Sequence, residues 1–258
     1  MAFVPADFGT CIFHHRASAA GVADGAGVSS ATSLTGLNMS GVISGNPTYD
    51  ATSLLNSRPG IVYSRTGQDD GLVTSSVSDY LTGSTSGSFA VVCRFAAVDA
   101  TTQYIFSQTV PAPRLVRFGA YQDTGGVIGC FASSSGTTNG GVSAGSTIAV
   151  NTNYVVVGTV TFDAGGTAGT MKVWVNNVLV INKTDVAGTA FVATTPVFGM
   201  GIGILSSTGA AGFDGCINEF AMWSTALTNA QAVDVYSHLY NDYLTPAVQC
   251  PPQTVVMS

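Results

Sequence analysis

Runs of apolar and β-branched residues recur along most of the chain, separated by short clusters of Gly, Ser, Thr and Asn. Four of these runs have the length and composition of β-strands, at residues 88–98, 113–121, 153–163 and 170–176. Asn176 and Asn177 then stand between two apolar runs, and asparagine tolerates the positive φ angles of a tight hairpin turn. Because the strands do not alternate with helices, the pattern predicts an all-β, antiparallel sandwich or barrel.

One helix is predicted near the end of the sequence. Thr228, followed three residues later by Gln231, fits a capping box, in which each side chain caps a backbone amide of the other residue. An apolar stripe then recurs at helical spacing, formed by Ala232, Tyr236, Leu239 and Tyr243. Pro246 ends the pattern. We therefore expect a helix that follows the cap at Thr228 and whose segment 234–243 docks on the sandwich.

The same patterning divides the chain into three parts. Residues 10–243 hold the predicted strands and the helix and form one sandwich domain, a size that all-β domains commonly reach. Residues 1–9 precede the first strand as an N-terminal arm. Residues 244–258 contain three prolines without periodicity and are predicted to form a C-terminal tail.

Composition narrows the class of protein further. Charged residues make up 9% of the 258 residues, the net charge is −6, and Glu219 is the single glutamate. A hydrophobic content of 46% is too high for a disordered chain, and no apolar run has the length of a membrane span. Two lysines and six arginines provide too few cations to hold a phosphate backbone. Nucleic acids and membranes are therefore not expected partners.

The cysteines and the start of the sequence indicate the compartment of synthesis. The five cysteines are widely spaced, odd in number and without a CxxC pair: Cys11, Cys93, Cys130, Cys216 and Cys250. The first residues show no basic stretch followed by an apolar segment, so we predict no secretory signal. Free, reduced thiols and synthesis in a reducing cytoplasm are the expected combination.

Three stretches resemble a known family of β-sandwiches. Residues 11–18 (CIFHHRAS) look like its first strand, and residues 56–63 (NSRPGIVY), followed by GQDD, look like its internal RPG–DD element. Residues 213–228 (FDGCINEFAMWSTALT) are similar to its closing strand and capped helix. The family is that of laminin-G-like, concanavalin A-like sandwiches. Its resemblance implies two antiparallel sheets in jelly-roll order, with the first and last strands adjacent and one short C-terminal helix.

Catalytic chemistry is not expected. Glycosidases need two carboxylates flanking the scissile bond, whereas Glu219 is the lone glutamate and matches a structural position of the family. The spacing GxSxG occurs at residues 141–145 (GVSAG), but in a Gly-rich segment with no helix pattern after it, so no serine triad with the three histidines is expected. His14 and His15 lie in the predicted first strand, so one should face the core and the other the surface. His238 is expected to be a solvated residue of the helix. A glucanase-like enzyme is therefore disfavoured.

Asp69 and Asp70 are the candidate metal ligands. They follow a predicted strand, and calcium takes several oxygen ligands from loops of this kind. Aspartates also stabilise turns through their own side chains, which is the alternative reading here and at Asp163. Calcium is the one cofactor that the sequence allows; no other cofactor is expected.

The candidate glycan-binding residues are an aromatic residue with polar neighbours. Tyr121, Gln122 and Asp123 form one such group, and Asn139 lies in a glycine-rich segment that could join it. Sugar recognition combines aromatic contacts with amide and acid groups, but an aromatic residue of a strand is more often part of the core. Both readings stay open.

Our functional hypothesis is that the chain is a non-enzymatic structural protein of a bacteriophage virion. It would be a component of the capsid decoration, the tail or a fibre. The absence of catalytic motifs and the Gly-, Ser- and Thr-rich composition favour it. Apolar or Pro-containing arms would contact neighbouring subunits in a homo-oligomer or lattice, through Phe3, Pro5, Pro251, Pro252 and Val255. The alternative is a carbohydrate-binding adhesion module for host attachment, with a glycan as its partner.

Overall fold

A computed structural model of the protein describes residues 3–35, 38–42, 45–55, 58–65, 69–74, 81–109, 116–134, 137–191, 200–204 and 211–245. The strands within these residues are β1 (Cys11–Arg16), β2 (Ser30–Thr32), β3 (Asn38–Val42), β4 (Thr48–Leu55), β5 (Arg58–Tyr63), β6 (Leu72–Thr74), β7 (Ser86–Phe95), β8 (Gln103–Thr109), β9 (Val116–Gln122), β10 (Val127–Ser134), β11 (Thr137–Thr147), β12 (Asn153–Thr161), β13 (Gly169–Val175), β14 (Val178–Val186), β15 (Met200–Ile202) and β16 (Gly215–Trp223). One α-helix, α1 (Asn229–Leu239), continues into a π-helical turn (Tyr240–Leu244). Short 3₁₀ turns cover Pro5–Phe8 and Ala17–Ala19.

The strands form two antiparallel sheets. Sheet A has the order β14-β13-β12-β7-β16-β5-β4, and β1 also pairs with β16. Sheet B has the order β11-β10-β9-β8-β15-β6-β3-β2. The first and last strands are therefore neighbours, as the family resemblance implies. The all-β, two-sheet fold with one C-terminal helix is confirmed.

The local signals for turns and strands agree with the structure. Asn176 and Asn177 have φ angles of 47° and 66° and form the hairpin between β13 and β14. The strands predicted at 88–98, 153–163 and 170–176 correspond to β7, β12 and β13 within a few residues. Part of the run 113–121 lies outside the described residues, and the remainder falls in β9.

The helix begins at its predicted cap. Thr228 is the N-cap, and both hydrogen bonds of the capping box with Gln231 are present. The α-helix begins at Asn229, directly after the cap, and ends at Leu239, where the π-helical turn follows. The cap favours this start because it satisfies the first free backbone amides.

The main core lies between the two sheets and is rich in phenylalanine. Phe89 contacts Phe106 and Phe118 with ring centroids 4.7 and 5.6 Å apart, and Phe106 lies 4.8 Å from Phe220. All four rings are fully buried. Gly158 lies beside Phe89 on the neighbouring strand, and a Cβ there would collide with the phenyl ring. The rings stabilise the sandwich by removing large apolar areas from water.

A second apolar layer covers the outer face of sheet A. Helix α1 contributes Ala232, Val235 and Leu239, which are all buried. They pack in one cluster with side chains of β7, β12, β13 and β16: Ala90, Val92, Val155, Val157, Trp174, Ala221 and Trp223. The central strands of sheet A, β7, β12 and β16, are thus buried on both faces, since the core lies on one side and the helix on the other.

The N-terminal arm packs on the same layer of its own chain. Phe3 is 2% exposed and contacts the rings of Phe8 and Trp223 at 5.8 and 6.4 Å. The indole nitrogen of Trp223 donates to the carbonyl of Pro5 (2.8 Å), and Pro5 is buried. These two residues were expected at the surface, as assembly contacts. Their side chains instead contact the chain itself, because the cluster beneath α1 offers them a larger apolar surface. Pro251, Pro252 and Val255 lie outside the described residues.

A buried carboxylate connects three elements at the edge of this layer. Glu219 of β16 is 1% exposed. Its Oε1 lies 2.6 Å from His14 Nε2 and 3.0 Å from Arg16 Nη2, and both of these side chains come from β1. The hydroxyl of Tyr243, from the π-helical turn, donates to Oε2. Burial raises the pKa of Glu219, but the hydrogen bonds from His14, Arg16 and Tyr243 outweigh it and hold the pKa below its ordinary value.

The histidines of β1 alternate as predicted, but neither is at the surface. His15 pairs with Phe220, a residue of the main core, and His14 pairs with Ala221 on the outer face. They are 1% and 5% exposed. The prediction of a surface histidine was wrong because the outer face of sheet A is covered by the helix and the arm.

The described cysteines form no disulfide. Cys11, Cys93, Cys130 and Cys216 are free cysteines, which agrees with the predicted reduced thiols. Cys250 lies outside the described residues. Burial raises the pKa of Cys11 to about 11.

Within the described ranges, no helix has the length and apolarity needed to span a membrane.

Replacement of the buried carboxylate should destabilise the fold in a pH-dependent way. We expect Glu219→Gln to lower the free energy of unfolding at pH 7 by about 3–5 kcal/mol, because Arg16 and His14 lose their charged partner. A lowered pKa in the folded state stabilises the protein above the ordinary glutamate value of 4.5, and this stabilisation disappears as the pH falls through the lowered pKa. The difference in the free energy of unfolding between variant and wild type, measured by urea unfolding, should therefore become smaller at acidic pH.

Asp185→Asn is the matched control. Asp185 carries an exposed carboxylate that pairs with Lys183 at 2.6 Å, and exposed pairs contribute little to stability. This variant should unfold like the wild type. A Glu219→Gln protein as stable as Asp185→Asn at pH 7 would contradict the structural role of the buried network.

Candidate functional site

Three aromatic rings lie next to each other on the outer face of sheet B. Tyr104 of β8, Tyr121 of β9 and Phe131 of β10 come from adjacent strands. Tyr121 and Phe131 are stacked, with centroids 4.3 Å apart and an interplanar angle of 10°. Tyr104 lies 5.9 Å from Tyr121 at 36°. We call these three residues the aromatic ladder.

The strand register places the ladder on the outer face and glycines beside it. In β9, Phe118 and Ala120 point into the core, so Tyr121 points outward. Tyr121 is paired with Gly129 on β10, where a Cβ would collide with the phenol ring. Phe131 is paired with Gly140 on β11. The absence of side chains at these two positions lets the rings lie close to the sheet.

The ladder combines apolar ring surface with neutral hydroxyl groups. Tyr104 and Phe131 are partly exposed, whereas Tyr121 between them is 6% exposed. Burial raises the pKa values of Tyr104 and Tyr121, so both phenols keep their protons at neutral pH. Within the described part of the chain, neither hydroxyl has a hydrogen-bond partner. The surface can therefore contact an apolar ligand face and still donate or accept hydrogen bonds.

The polar residues that follow Tyr121 stabilise the ends of strands. Gln122 is fully buried, and its side-chain amide donates to the carbonyls of Asp99 and Thr101 at 3.3 and 3.4 Å. Asp123 Oδ1 accepts from the amides of Gly125 (2.8 Å) and Val127 (3.0 Å), which closes the turn between β9 and β10. Of the predicted group, Tyr121 alone is placed in the ladder.

Asn139 lies in β11 and connects the two sheets at one edge. It pairs with Ala132 on β10, three residues from the position paired with Tyr121. Its side chain donates to the carbonyl of Ala187 (2.8 Å) and accepts from the amide of the same residue (2.9 Å). Both polar ends of this side chain therefore bond to the backbone that follows β14.

The two aspartates predicted to bind calcium point to different partners. Asp70 is buried, and its oxygens accept from the amides of Asn46 (2.7 Å) and Ser64 (2.9 Å). Asp69 Oδ1 faces Arg65 Nε at 3.8 Å. Within the described residues, no group of three His, Cys, Asp or Glu side chains could hold a metal ion. A calcium ion at this pair stays a prediction, and the contacts of Asp70 are those of a loop-stabilising residue.

The candidate catalytic groups are not arranged around a site. Glu219 is enclosed by His14 and Arg16 of β1 and Tyr243 of the π-helical turn, so a substrate could not reach it without displacing these partners. His238, expected to be solvated, is half-buried between the rings of Phe3 and Phe8 at 6.3 and 5.8 Å. Its position follows from the docking of the N-terminal arm. Asp163, as predicted, accepts a turn hydrogen bond through its carbonyl, from Gly166 (2.9 Å).

Sequence reasoning missed Tyr104 and Phe131. Each belongs to a short apolar or Gly-rich run in which an aromatic residue suggests a core position. A signal did exist, since glycines at 119, 129 and 140 recur on the strands that flank the rings. The strand register was needed to interpret it.

Comparison with known proteins agrees with this architecture. The family model described as the concanavalin A-like lectin/glucanases superfamily matches residues 66–232, well over half of the chain. No curated protein sequence matches the chain.

Several solved structures share the fold at low sequence identity. A structure concerned with cell entry of botulinum neurotoxin type C and two ganglioside molecules has 9% identity and a TM-score of 0.60, covering 92% of this chain and 53% of that one. The CBM40 module of Ruminococcus gnavus IT-sialidase, bound to α2,3-sialyllactose, has 15% identity and a TM-score of 0.53, covering 69% and 96%. Trypanosoma rangeli sialidase has 13% identity and a TM-score of 0.55, covering 89% and 32%.

The chain thus spans about half of the neurotoxin chain and a third of the sialidase chain that it resembles. At these identities the similarity concerns the fold alone. The two antiparallel sheets, the adjacent first and last strands and the match over residues 66–232 agree with one another. The chain belongs to the concanavalin A-like lectin/glucanase superfamily.

Proposed function

We propose that the protein is a non-enzymatic carbohydrate-binding module that holds a glycan on the aromatic ladder. The single observation that carries this proposal is the set of three adjacent rings on the outer face of sheet B, of which Tyr104 and Phe131 are partly exposed. Sugar rings have apolar C–H faces and polar edges. Tyr104, Tyr121 and Phe131 offer the matching combination of ring surface and free hydroxyl groups.

The difference between the two outer faces supports this assignment. Helix α1 and the N-terminal arm bury the outer face of sheet A. Within the described residues, no helix lies on the outer face of sheet B. Partly exposed rings grouped on the uncovered face are more informative than single exposed apolar residues, which are common on any protein.

The charged groups support binding rather than hydrolysis. Glycoside cleavage needs an acid and a second carboxylate on either side of one bond. Glu219 is enclosed on the opposite side of the sandwich, and Asp123, the carboxylate nearest to the ladder in sequence, bonds to two turn amides. The R. gnavus module and the neurotoxin structure are described with glycans, which is consistent with this proposal.

Removal of a ring should weaken glycan binding. We expect Phe131→Ala and Tyr104→Ala to reduce affinity for a glycan identified on an array by at least about tenfold, equal to about 1.4 kcal/mol. Tyr121→Phe keeps the ring stack and removes one hydroxyl, so its loss of glycan affinity should be smaller. Isothermal titration calorimetry with the purified protein measures each affinity, with and without EDTA.

Tyr240→Ala is the matched control, because Tyr240 is 40% exposed on the far side of the molecule. Its affinity should equal that of the wild type. A glycan bound equally well by all variants, or a binding lost completely in EDTA, would contradict recognition by the ladder alone.

A virion structural role is the second candidate. It is favoured by apolar residues exposed outside the ladder, namely Val178 (63%) and Leu179 (42%) at the start of β14. Apolar surface of this kind suits contacts between subunits. The low charge of the chain is also compatible with assembly, since high net charge keeps proteins apart.

Assembly through this hairpin is testable in solution. If it mediates contacts, the wild type should form oligomers in light scattering coupled to size exclusion, and Val178→Asp with Leu179→Asp should yield monomers. Val150→Asp is the control, because Val150 is 49% exposed elsewhere. A wild-type protein that is monomeric at high concentration and missing from purified particles would contradict the structural role.

A further inference from the structure

A pocket of about 190 Å³ lies at one end of the sandwich, outside the aromatic ladder. It is formed where β5, β7 and β16 meet on the outer side of sheet A, and by residues just beyond those strands. The polar residues that line it are Ser64, Arg94, Asn151 and Asp214. Val62, Ala96 and Cys216 contribute to its walls.

Close backbone contacts fix the pocket wall. Gly215 begins β16, and a Cβ there would collide with the carbonyl of Arg94 on the neighbouring strand. The glycine therefore allows β16 and β7 to approach closely at the pocket. Asn151 has a φ angle of 58°, and its amide donates to the carbonyl of Phe95 (2.7 Å), which holds the loop before β12 over the pocket.

The polar groups are fixed in place, and one of them offers free acceptors. Arg94 Nη2 donates to Asn151 Oδ1 at 3.0 Å. The backbone of Asp214 is held by two hydrogen bonds: the Ala96 amide donates to its carbonyl (2.8 Å), and its own amide donates to Gln103 Oε1 (2.9 Å). The Asp214 carboxylate has no hydrogen-bond partner in the described part of the chain. Burial raises the pKa of this carboxyl group, and the nearby charge of Arg65 partly offsets the effect.

The charges of the pocket select a class of ligand. Arg94 and Asp214 carry opposite charges, so an anion or a cation would gain from one and lose from the other. A neutral ligand with several hydroxyl groups suits both, because a carboxylate accepts hydrogen bonds that hydroxyls donate and a guanidinium donates to hydroxyl oxygens. The volume holds one ring of about six heavy atoms with its substituents.

We propose that the Arg94–Asp214 pocket is a second binding site, which takes a single neutral sugar unit or cyclic polyol through its hydroxyl groups. The inference rests on the proposed function for the sugar class of the ligand, but the site is separate from the ladder. The two sites are linked through the backbone, since the amide of Tyr104 donates to the carbonyl of Ala211 (3.0 Å), three residues before Asp214.

The test uses the full chain, labelled with ¹⁵N, and a panel of free monosaccharides. Glucose, galactose, mannose and myo-inositol represent neutral ligands, and N-acetylneuraminic acid represents an anionic one. We expect at least one neutral member to shift the amide signals of Arg94, Asn151 and Gly215 in a saturable titration. Asp214→Asn, which removes the charge at constant shape, should weaken that affinity by about tenfold or more.

Two further variants separate this site from the ladder. Ala96→Leu keeps the polar groups but narrows the pocket wall, and Ala96 is exposed, so the fold should tolerate it. We expect Ala96→Leu to abolish the saturable shifts of the pocket amide signals and Phe131→Ala to leave these shifts unchanged. Thermal unfolding of each variant confirms that the fold is intact.

Three outcomes would overturn the inference. They are the absence of any shift at the pocket with all five compounds, a preference for N-acetylneuraminic acid over every neutral member, and a titration that Phe131→Ala abolishes. Absence of any shift at the pocket, together with glycan binding on the array, would contradict the pocket and retain the ladder proposal. Failure of glycan binding on the array, with saturable monosaccharide shifts at the pocket, would contradict the ladder and retain the pocket.

Discussion

The burial of one carboxylate is the constraint on which the layered structure depends. A charge removed from water is tolerated only when several hydrogen bonds and an opposite charge replace its hydration. Glu219 obtains these from Arg16 and His14 on β1 and from Tyr243 beyond helix α1. The first strand, the last strand and the helical end must therefore meet at one point. This requirement selects the face of sheet A on which the helix docks.

The position of the helix gives the sandwich two different outer faces. On sheet A, strands that are apolar on both sides are enclosed between the core and α1, and the arm seals the remaining edge. On sheet B, the outward positions are occupied by the ladder and by glycines such as Gly129 and Gly140. Recognition is therefore expected on sheet B and at the ends of strands, where backbone and side chains remain accessible.

Local signals in the sequence predicted much of the fold. The hairpin at Asn176–Asn177 and the cap at Thr228 depend on the conformations of a few consecutive residues, so the sequence alone identifies them. The adjacent first and last strands followed from the closing motif. The helix follows its cap directly, because the capping box at Thr228 satisfies the first backbone amides. One histidine of β1 was expected at the surface because alternation reveals which residues share a face, but not what covers that face.

The candidate site was harder to predict, for two physical reasons. Tyr104, Tyr121 and Phe131 become neighbours only through strand register, and a bulge after Tyr104 shifts that register. In addition, a chain with 9% charged residues uses its amides and aspartates to satisfy backbone groups at strand ends. Gln122, Asp123 and Asn139 have that role, although their chemistry would equally suit a ligand. Residue type alone does not distinguish the two uses.

The contact between Phe3 and Asp242 joins two distant parts of the sequence. The amide of Phe3 donates to the Asp242 carboxylate at 3.1 Å, although 239 positions separate the two residues in sequence. The beginning and the helical end of the described chain are therefore held together on the sheet A side, away from the aromatic ladder. Loss of this contact would release both on the same side of the molecule.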